Sequence, residues 1–171
     1  MPFAEEYLKH NHFSSLFIPG SKRKPGIIVI IPCYNEPNLL ESLGSLYRCK
    51  RPEANTEVIV VINHPENASS EARQQNEKSL HEARCWADQH NSEHLIFEII
   101  YIPDLPVKNA GVGFARKTGM DEAVARFNTY DYAEGIIVGF DADSTCDDNY
   151  LREIELAFSD PGINGASIYY E

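Results

Sequence analysis

The chain has 171 residues, of which 43% are hydrophobic, and a formal net charge of −11 at pH 7. That length and apolar content predict one globular domain with a hydrophobic core of its own. The negative charge argues against sequence-independent binding of DNA or RNA, which depends on clustered lysine and arginine side chains.

The four cysteines lack the CxxC spacing of metal sites and redox motifs. We therefore expect free thiols in a reducing compartment, the cytoplasm. No apolar run approaches the ~20 residues that a membrane span needs, and the N-terminus, with Glu5, Glu6 and Lys9, does not resemble a signal peptide. The sequence predicts a cytoplasmic protein without a membrane span, and leaves peripheral attachment to a membrane open.

The first predicted elements are a strand and a helix that follow an irregular lead-in over residues 1–26. The β-branched run Ile27–Ile31 is typical of a strand buried on both faces. A helix is expected to begin at Pro37, with Asn35 or Glu36 near its cap, because leucines at helical spacing follow.

The middle of the chain repeats this alternation. Glu57–Ile62 predicts a second buried strand, and the long polar stretch Glu66–Asn91 predicts a helix on the surface. A third strand is expected over His94–Ile102 and a further helix over Phe114–Phe127.

The last predicted elements are two strands on either side of a helix. Gly135–Phe140 predicts a short buried strand, and Asp147 or Asp148 is expected to cap a helix that ends at Phe158. Asn164–Tyr170 predicts a fifth strand. Alternating strands and helices predict an α/β fold, a mostly parallel sheet with helices on both faces.

Two carboxylates follow the strand Gly135–Phe140 directly. Alternation along an extended chain puts Asp141 and Asp143 on the same side. Ligands of open α/β sheets bind at the carboxyl ends of the strands, so this pair predicts a hard divalent cation that neutralises a polyphosphate. Among the neighbouring strand ends, His64 is interpreted as a turn residue rather than a ligand.

Three segments together resemble family 2 glycosyltransferases, which are nucleotide-sugar enzymes with the GT-A fold. Residues 28–36, which end in Pro-Cys-Tyr-Asn-Glu, are similar to the opening strand and Pro-x-Tyr-Asn-Glu motif of that family. Residues 108–119 are similar to its Asn-x-Gly…Ala-Arg-Asn-x-Gly segment. Residues 141–144 and 149–151 resemble its Asp-x-Asp motif and the helix after it. The motifs occur in the order of the family, and the resemblance covers the chain from Ile27 to its end.

The resemblance implies a GT-A nucleotide-binding domain over residues 27–171. It also implies the transfer of a hexose-like sugar with inversion at the anomeric carbon. Tyr34 would pack on the base, Glu36 would accept from base or sugar hydroxyls, and Asp141 would bind the ribose. Asp143 would ligate Mn²⁺ or Mg²⁺ on the diphosphate of a nucleotide-sugar donor, and this metal would stabilise the leaving group. The acceptor would be a saccharide or a lipid-linked glycan. Further candidates for nucleotide binding are Pro32, Asn63, Lys108 and Arg116.

Two features depart from the pattern of the family. After its second strand the family has Asp-Asp-Gly-Ser or a near relative, one carboxylate of which accepts from the base, whereas this chain has Asn63. The Asn63 oxygen can accept but carries no charge, which leaves the base open. The catalytic carboxylate of the family lies well beyond its Asp-x-Asp motif, and this chain ends at Glu171. We therefore leave the catalytic residue unassigned and expect a nucleotide-binding half that lacks most of the acceptor half.

Two other functions stay open. Residues 141–145 also fit Asp-x-Asp-x-Thr, the nucleophile loop of haloacid-dehalogenase-like phosphohydrolases, in which Asp141 would attack phosphorus and Asp143 would act as general acid. That motif normally opens its fold and needs a later lysine, which this chain lacks. The second alternative is a non-catalytic module that binds nucleotide sugars.

Overall fold

A parallel sheet forms the centre of the molecule, for which the computed structural model describes residues 2–15 and 23–168. Within these residues the strands are β1 (Ile27–Cys33), β2 (Thr56–Pro65), β3 (Leu95–Leu105) and β4 (Ile136–Gly139). They lie in the order β3-β2-β1-β4, and every neighbouring pair is parallel. The helices are α1 (Glu5–His10), α2 (Leu39–Arg48), α3 (Ser70–His90), α4 (Val112–Thr129) and α5 (Tyr150–Phe158), with a 3-10 turn at Val107–Asn109.

Helices cover both faces of the sheet, as the sequence predicts. Ile28 and Ile30 of β1 pack with Ala115, Ala123 and Phe127 of α4 on one face. The alternate residues of β1 pack with α2, α3 and α5 on the other face. All seven residues of β1 are buried, which explains why its sequence is continuously apolar instead of alternating.

The fifth predicted strand is wrong over the part that the structure describes. Residues 164–168 form no strand, and residues 169–171 lie outside the described chain. Residues 161–168 are all exposed. They bury no side chain that would hold them against β4, so strand-like composition alone does not add a strand here.

The predicted cap of α5 is wrong, and α2 begins at Leu39 instead of Pro37. Asn38 precedes α2, while Asn35 has a left-handed φ of 52° and Glu36 accepts from the Asn38 N–H through its side chain. Asn149 precedes α5, and neither cap side chain accepts from a backbone N–H of its helix. Asp147 contributes its backbone carbonyl to the Tyr150 N–H instead. The remaining predicted strands and helices are present, with shifted ends.

The described part of the lead-in is anchored to α4. The Ala4 N–H donates to the Asn128 side chain at 2.8 Å, and the Tyr7 hydroxyl donates to Asp121 at 2.8 Å. These contacts hold α1 against the outer side of α4. Each helix among the described residues is too short or too polar to cross a lipid bilayer.

A buried group of three charges holds α4 to the beginnings of two strands. The Arg126 guanidinium donates to Glu57 of β2 and to Glu98 of β3. Burial raises the pKa of Glu57 above its usual range, against the opposing effect of Arg126. This group fixes the C-terminal part of α4 at the amino edge of the sheet, so that the helix start reaches the opposite edge.

Gly119 lets α4 approach the sheet closely, and we expect Gly119→Ala to destabilise the chain. A Cβ at this position would meet Ile30 Cγ2 at 2.4 Å, inside the core. The expected net loss is about 1–3 kcal/mol, from overpacking that exceeds the gain in helix propensity. The measurement is urea unfolding followed by circular dichroism.

The matched control is Gly44→Ala in α2. A Cβ there meets only the flexible end of Arg48, at 3.2 Å. The same gain in helix propensity, up to about 1 kcal/mol, then acts unopposed. Equal effects of the two substitutions would show that Gly119 is not a packing constraint.

Candidate functional site

The carboxyl ends of the four strands meet at one edge of the sheet. In the strand register Cys33 pairs with Ile62, and Ile30 pairs with Gly139. The chain runs from β1 outward through β2 to β3 and then returns to the other side of β1 as β4. The strand order therefore reverses between β1 and β4, and such a reversal opens a crevice at the carboxyl edge.

The loop after β1 is fixed from α3. The Asn35 N–H donates to the Asn76 side chain at 2.7 Å, and the Ser79 hydroxyl donates to the Glu36 carbonyl at 2.9 Å. Tyr34, at the beginning of this loop, is 41% exposed. Hydrogen bonds from α3 thus hold the backbone of a loop that carries an exposed aromatic residue at the carboxyl edge.

Asn63 ends the buried part of β2 and carries an unpaired acceptor. Its side chain is fully buried, and its amide N–H donates to the Gly111 carbonyl at 3.2 Å. The backbone carbonyl of Asn63 accepts from the side-chain amide of Asn76 at 3.0 Å. Among the described residues its Oδ1 atom has no hydrogen-bond partner. A buried acceptor without a partner is costly, which makes this oxygen a candidate for a ligand contact.

His64 is not a turn residue, contrary to the sequence interpretation. It lies inside β2 and is 1% exposed. Its Nε2 atom is 3.1 Å from the Tyr101 hydroxyl, and its Nδ1 atom is 3.1 Å from the Pro65 carbonyl. These partners give it a role in joining β2 to β3.

The two predicted carboxylates lie beyond β4, on either side of a buried residue. Ala142 is 8% exposed, and its carbonyl accepts from the Ser42 hydroxyl at 2.6 Å. Asp141 is exposed and forms an ion pair with Arg116 of α4 at 2.7 Å. Asp143 is also exposed, and its side chain makes no hydrogen bond or ion pair within residues 2–15 and 23–168. The structure thus brings Arg116 and Asp141 together and leaves the Asp143 oxygens open.

The other two predicted residues have different surroundings. Pro32 is buried in β1, opposite Val61 of β2. Lys108 is exposed on the 3-10 turn that follows β3, on the side of the sheet away from β4. Neither residue bonds to Asp141 or Asp143 in the described chain.

The described residues fit a divalent cation only if a ligand completes its coordination. No three His, Cys, Asp or Glu side chains in the described ranges converge on one point. Mg²⁺ is usually held by one or two carboxylates together with substrate phosphates. The open carboxylate of Asp143 suits that arrangement, whereas the Asp141 carboxylate already has a cationic partner in Arg116.

Asn76 is the residue of this edge that the sequence interpretation missed. It lies on α3, for which the sequence predicted a solvated polar helix. The buried positions of α3 follow helical spacing and include polar side chains. They are Ala72, Asn76, Ser79, Ala83 and Ala87. Asn76 lies at helical spacing from the small apolar residues of α3, and this spacing could have predicted that it is buried.

Comparison with known proteins gives one family. The model of that family, described as Glycosyl transferase family 2, matches residues 28–170. This favours the transferase interpretation of the two carboxylates over the phosphohydrolase one. No curated protein matches the chain.

Solved structures with a similar fold include those of TarS from S. aureus. They comprise TarS 1–349, the same protein in complex with UDP, and its complex with UDP-GlcNAc. Each is 20% identical with a TM-score of 0.49 over 84% of this chain. The chain spans 38% of the first two and 37% of the third.

We expect Asn76→Ala to destabilise the chain and loosen the loop after β1. It removes the acceptor of the Asn35 N–H, in a part-buried hydrogen bond, and the donor to the buried backbone carbonyl of Asn63. Losing these partners should cost about 1–3 kcal/mol. Urea unfolding measures the loss, and hydrogen exchange at the Asn35 amide measures the loosening.

Gln74→Ala is the control, since Gln74 lies on the same helix and is exposed. It should change the free energy of unfolding by less than about 0.5 kcal/mol. Unchanged protection of the Asn35 amide in Asn76→Ala would contradict the bridging role.

Proposed function

The chain belongs to glycosyl transferase family 2, and we propose that it binds a nucleotide-diphosphate sugar at the carboxyl edge of the sheet as the donor site of a glycosyltransferase. One observation carries this proposal. An exposed aromatic residue, Tyr34, follows β1 and an open carboxylate, Asp143, follows β4, and these are the two strands between which the strand order reverses. A nucleoside diphosphate has complementary parts, a flat base and a metal-binding diphosphate.

The nucleoside would lie towards β1 and β2. The Tyr34 ring can pack on the base. The unpaired Oδ1 atom of Asn63 would accept a ring N–H, such as uracil and guanine both offer. Because Asn63 is fully buried and contacts Gly111, the ligand reaches that oxygen only if the Gly111 segment shifts. Glu36 would accept from base or sugar hydroxyls, and Asp141 would bind the ribose.

The diphosphate would lie towards Asp143 and the beginning of α4. Asp143 would hold Mn²⁺ or Mg²⁺ together with phosphate oxygens, and the cation when bound would act as a Lewis acid on the leaving diphosphate. Helix α4 begins at Val112, directly after the Gly111 that contacts Asn63. The N-terminus of a helix attracts anions. Arg116 would add positive charge there, in a chain whose net charge is −11, whereas Lys108 follows β3 at the far edge of the sheet.

We further propose that the sugar is transferred with inversion at its anomeric carbon. An acceptor hydroxyl, on a saccharide or a lipid-linked glycan, would attack the anomeric carbon while a carboxylate removes its proton. No described residue is assigned as that base. The proposal for the described residues is therefore donor binding, and the transfer belongs to the activity proposed for the whole protein.

We expect the chain to bind UDP or GDP in a manner that requires Mn²⁺ or Mg²⁺. Asp143→Asn keeps the size of the side chain and removes its charge, so the affinity in the presence of metal should fall roughly tenfold or more. Isothermal titration calorimetry with each nucleotide, with Mn²⁺ and with EDTA, measures this.

Asp147→Asn is the matched control, because Asp147 is another exposed carboxylate of the segment after β4. Its nucleotide affinity should equal that of the parent chain. Binding that is equally strong in EDTA, or unchanged in Asp143→Asn, would refute the proposed metal role. A chain that binds neither nucleotide under any of these conditions would refute the donor site.

A further inference from the structure

Two thiols lie behind the segment that carries Asp143. Cys49 follows α2 directly and Cys146 lies in the segment after β4, and their sulfur atoms are 3.7 Å apart. Cys49 is 3% exposed, while Cys146 is half-buried. They are 97 positions apart in the sequence, so the fold brings them together.

The segment after β4 is attached to α2 and to the residues directly after it. Hydroxyl, thiol and backbone groups of α2 and the residues after it contact residues 142–148. These contacts are Ser42 Oγ to the Ala142 carbonyl at 2.6 Å, Ser45 Oγ to Cys146 Sγ at 3.5 Å, Cys49 Sγ to the Asp147 carbonyl at 3.5 Å, and Lys50 N to the Asp148 carbonyl at 2.7 Å. A covalent bond between the thiols would therefore act on a segment that already lies in place.

We propose that Cys49 and Cys146 are a redox modification site and form a reversible disulfide. A disulfide has an S–S length of about 2.05 Å, so the two sulfur atoms must approach by about 1.7 Å. Rotation of the two side chains and a small displacement of the segment after β4 supply this movement.

The reaction needs an oxidant, for which a low-molecular-weight disulfide such as oxidised glutathione suffices. The singly ionised pair shares one proton between its two sulfur atoms, so the more exposed Cys146 can pass its proton to Cys49, attack one sulfur of the reagent as the thiolate and release one reduced thiol. Cys49 then attacks the Cys146 sulfur of the mixed disulfide and releases the second. The protein thiols lose two electrons and two protons, and the reagent gains both as two thiols.

The surroundings of the four cysteines favour this pair. The hydrogen bond between the two thiols lowers the pKa of Cys49 to about 7 and raises that of Cys146, so that the pair gives up its first proton near neutral pH and holds the second one between the two sulfur atoms. Burial raises the pKa of Cys33 to about 12, which makes that thiol inert. Cys85 is exposed on α3, away from the other thiols, and serves as an internal control.

Disulfide formation would also affect Asp143. Closing the sulfur–sulfur distance draws the segment after β4 towards α2, and Asp143 lies in that segment between Ala142 and Cys146. An atom that helps to hold a metal is sensitive to displacements of this size. This consequence for ligand binding rests on the proposed function, whereas the disulfide itself does not.

The first test maps the disulfide. The reduced chain is incubated with oxidised glutathione, alkylated, digested and analysed by mass spectrometry. We expect a dithiothreitol-sensitive cross-link between the Cys49 and Cys146 peptides in the parent chain and in Cys85→Ser, and a glutathione adduct trapped on Cys146 in Cys49→Ser. Glutathione on Cys85 without the cross-link would show an active oxidant and overturn the proposal. The cross-link is measured in the parent chain and in Cys85→Ser, so poor folding of Cys49→Ser would not obscure the result of this test.

The second test compares UDP binding by the reduced and oxidised chains in the presence of Mn²⁺. We expect the oxidised chain to bind several-fold more weakly, dithiothreitol to restore the affinity, and Cys146→Ser to be insensitive to the oxidant. Equal affinities would overturn the link to Asp143. A reduced chain that does not bind UDP would instead count against the proposed function, and the peptide map distinguishes the two failures.

Discussion

Burial of β1 on both faces is the constraint on which the rest of the structure depends. A strand with no polar face needs a layer of helices on each side, and α4 supplies one layer while α2, α3 and α5 supply the other. Parallel strands joined by helices carry all their carboxyl ends to one edge. The requirement to cover β1 therefore decides where Tyr34, Asn63 and Asp141 meet.

Helix α4 transmits this arrangement to the site because it is held at both ends. Its C-terminal part is fixed at the amino edge of the sheet by Arg126 with Glu57 and Glu98. Its beginning meets the opposite edge, where Asn63 contacts Gly111 and Arg116 contacts Asp141. Gly119 allows the close approach that both ends require.

Features that one segment determines were predictable from the sequence. The apolar runs predicted β1 to β4, and the position of Asp141 and Asp143 directly after a strand predicted that they lie beyond its carboxyl end. Features that depend on two distant segments were not predictable. The bridge from Asn76 to Asn35 and Asn63 needs the packing of α3, and the Arg116–Asp141 pair needs the position of α4. The fifth predicted strand failed for the same reason, since a strand needs a partner and residues 164–168 have none in the described sheet.

The two ionic anchors of α4 differ in their sensitivity to ionic strength. At the amino edge the Arg126 side chain is 11% exposed and that of Glu57 is 4% exposed, whereas those of Arg116 and Asp141 are 40% and 62% exposed. Mobile ions screen exposed charges far more than buried ones, and an exposed pair contributes about 0–1 kcal/mol. At cellular salt concentrations the Arg116–Asp141 pair is therefore weak enough for another anion to replace Asp141, while Arg126 keeps its two buried partners. Of the two ionic contacts of the helix, one is permanent and the other is interchangeable.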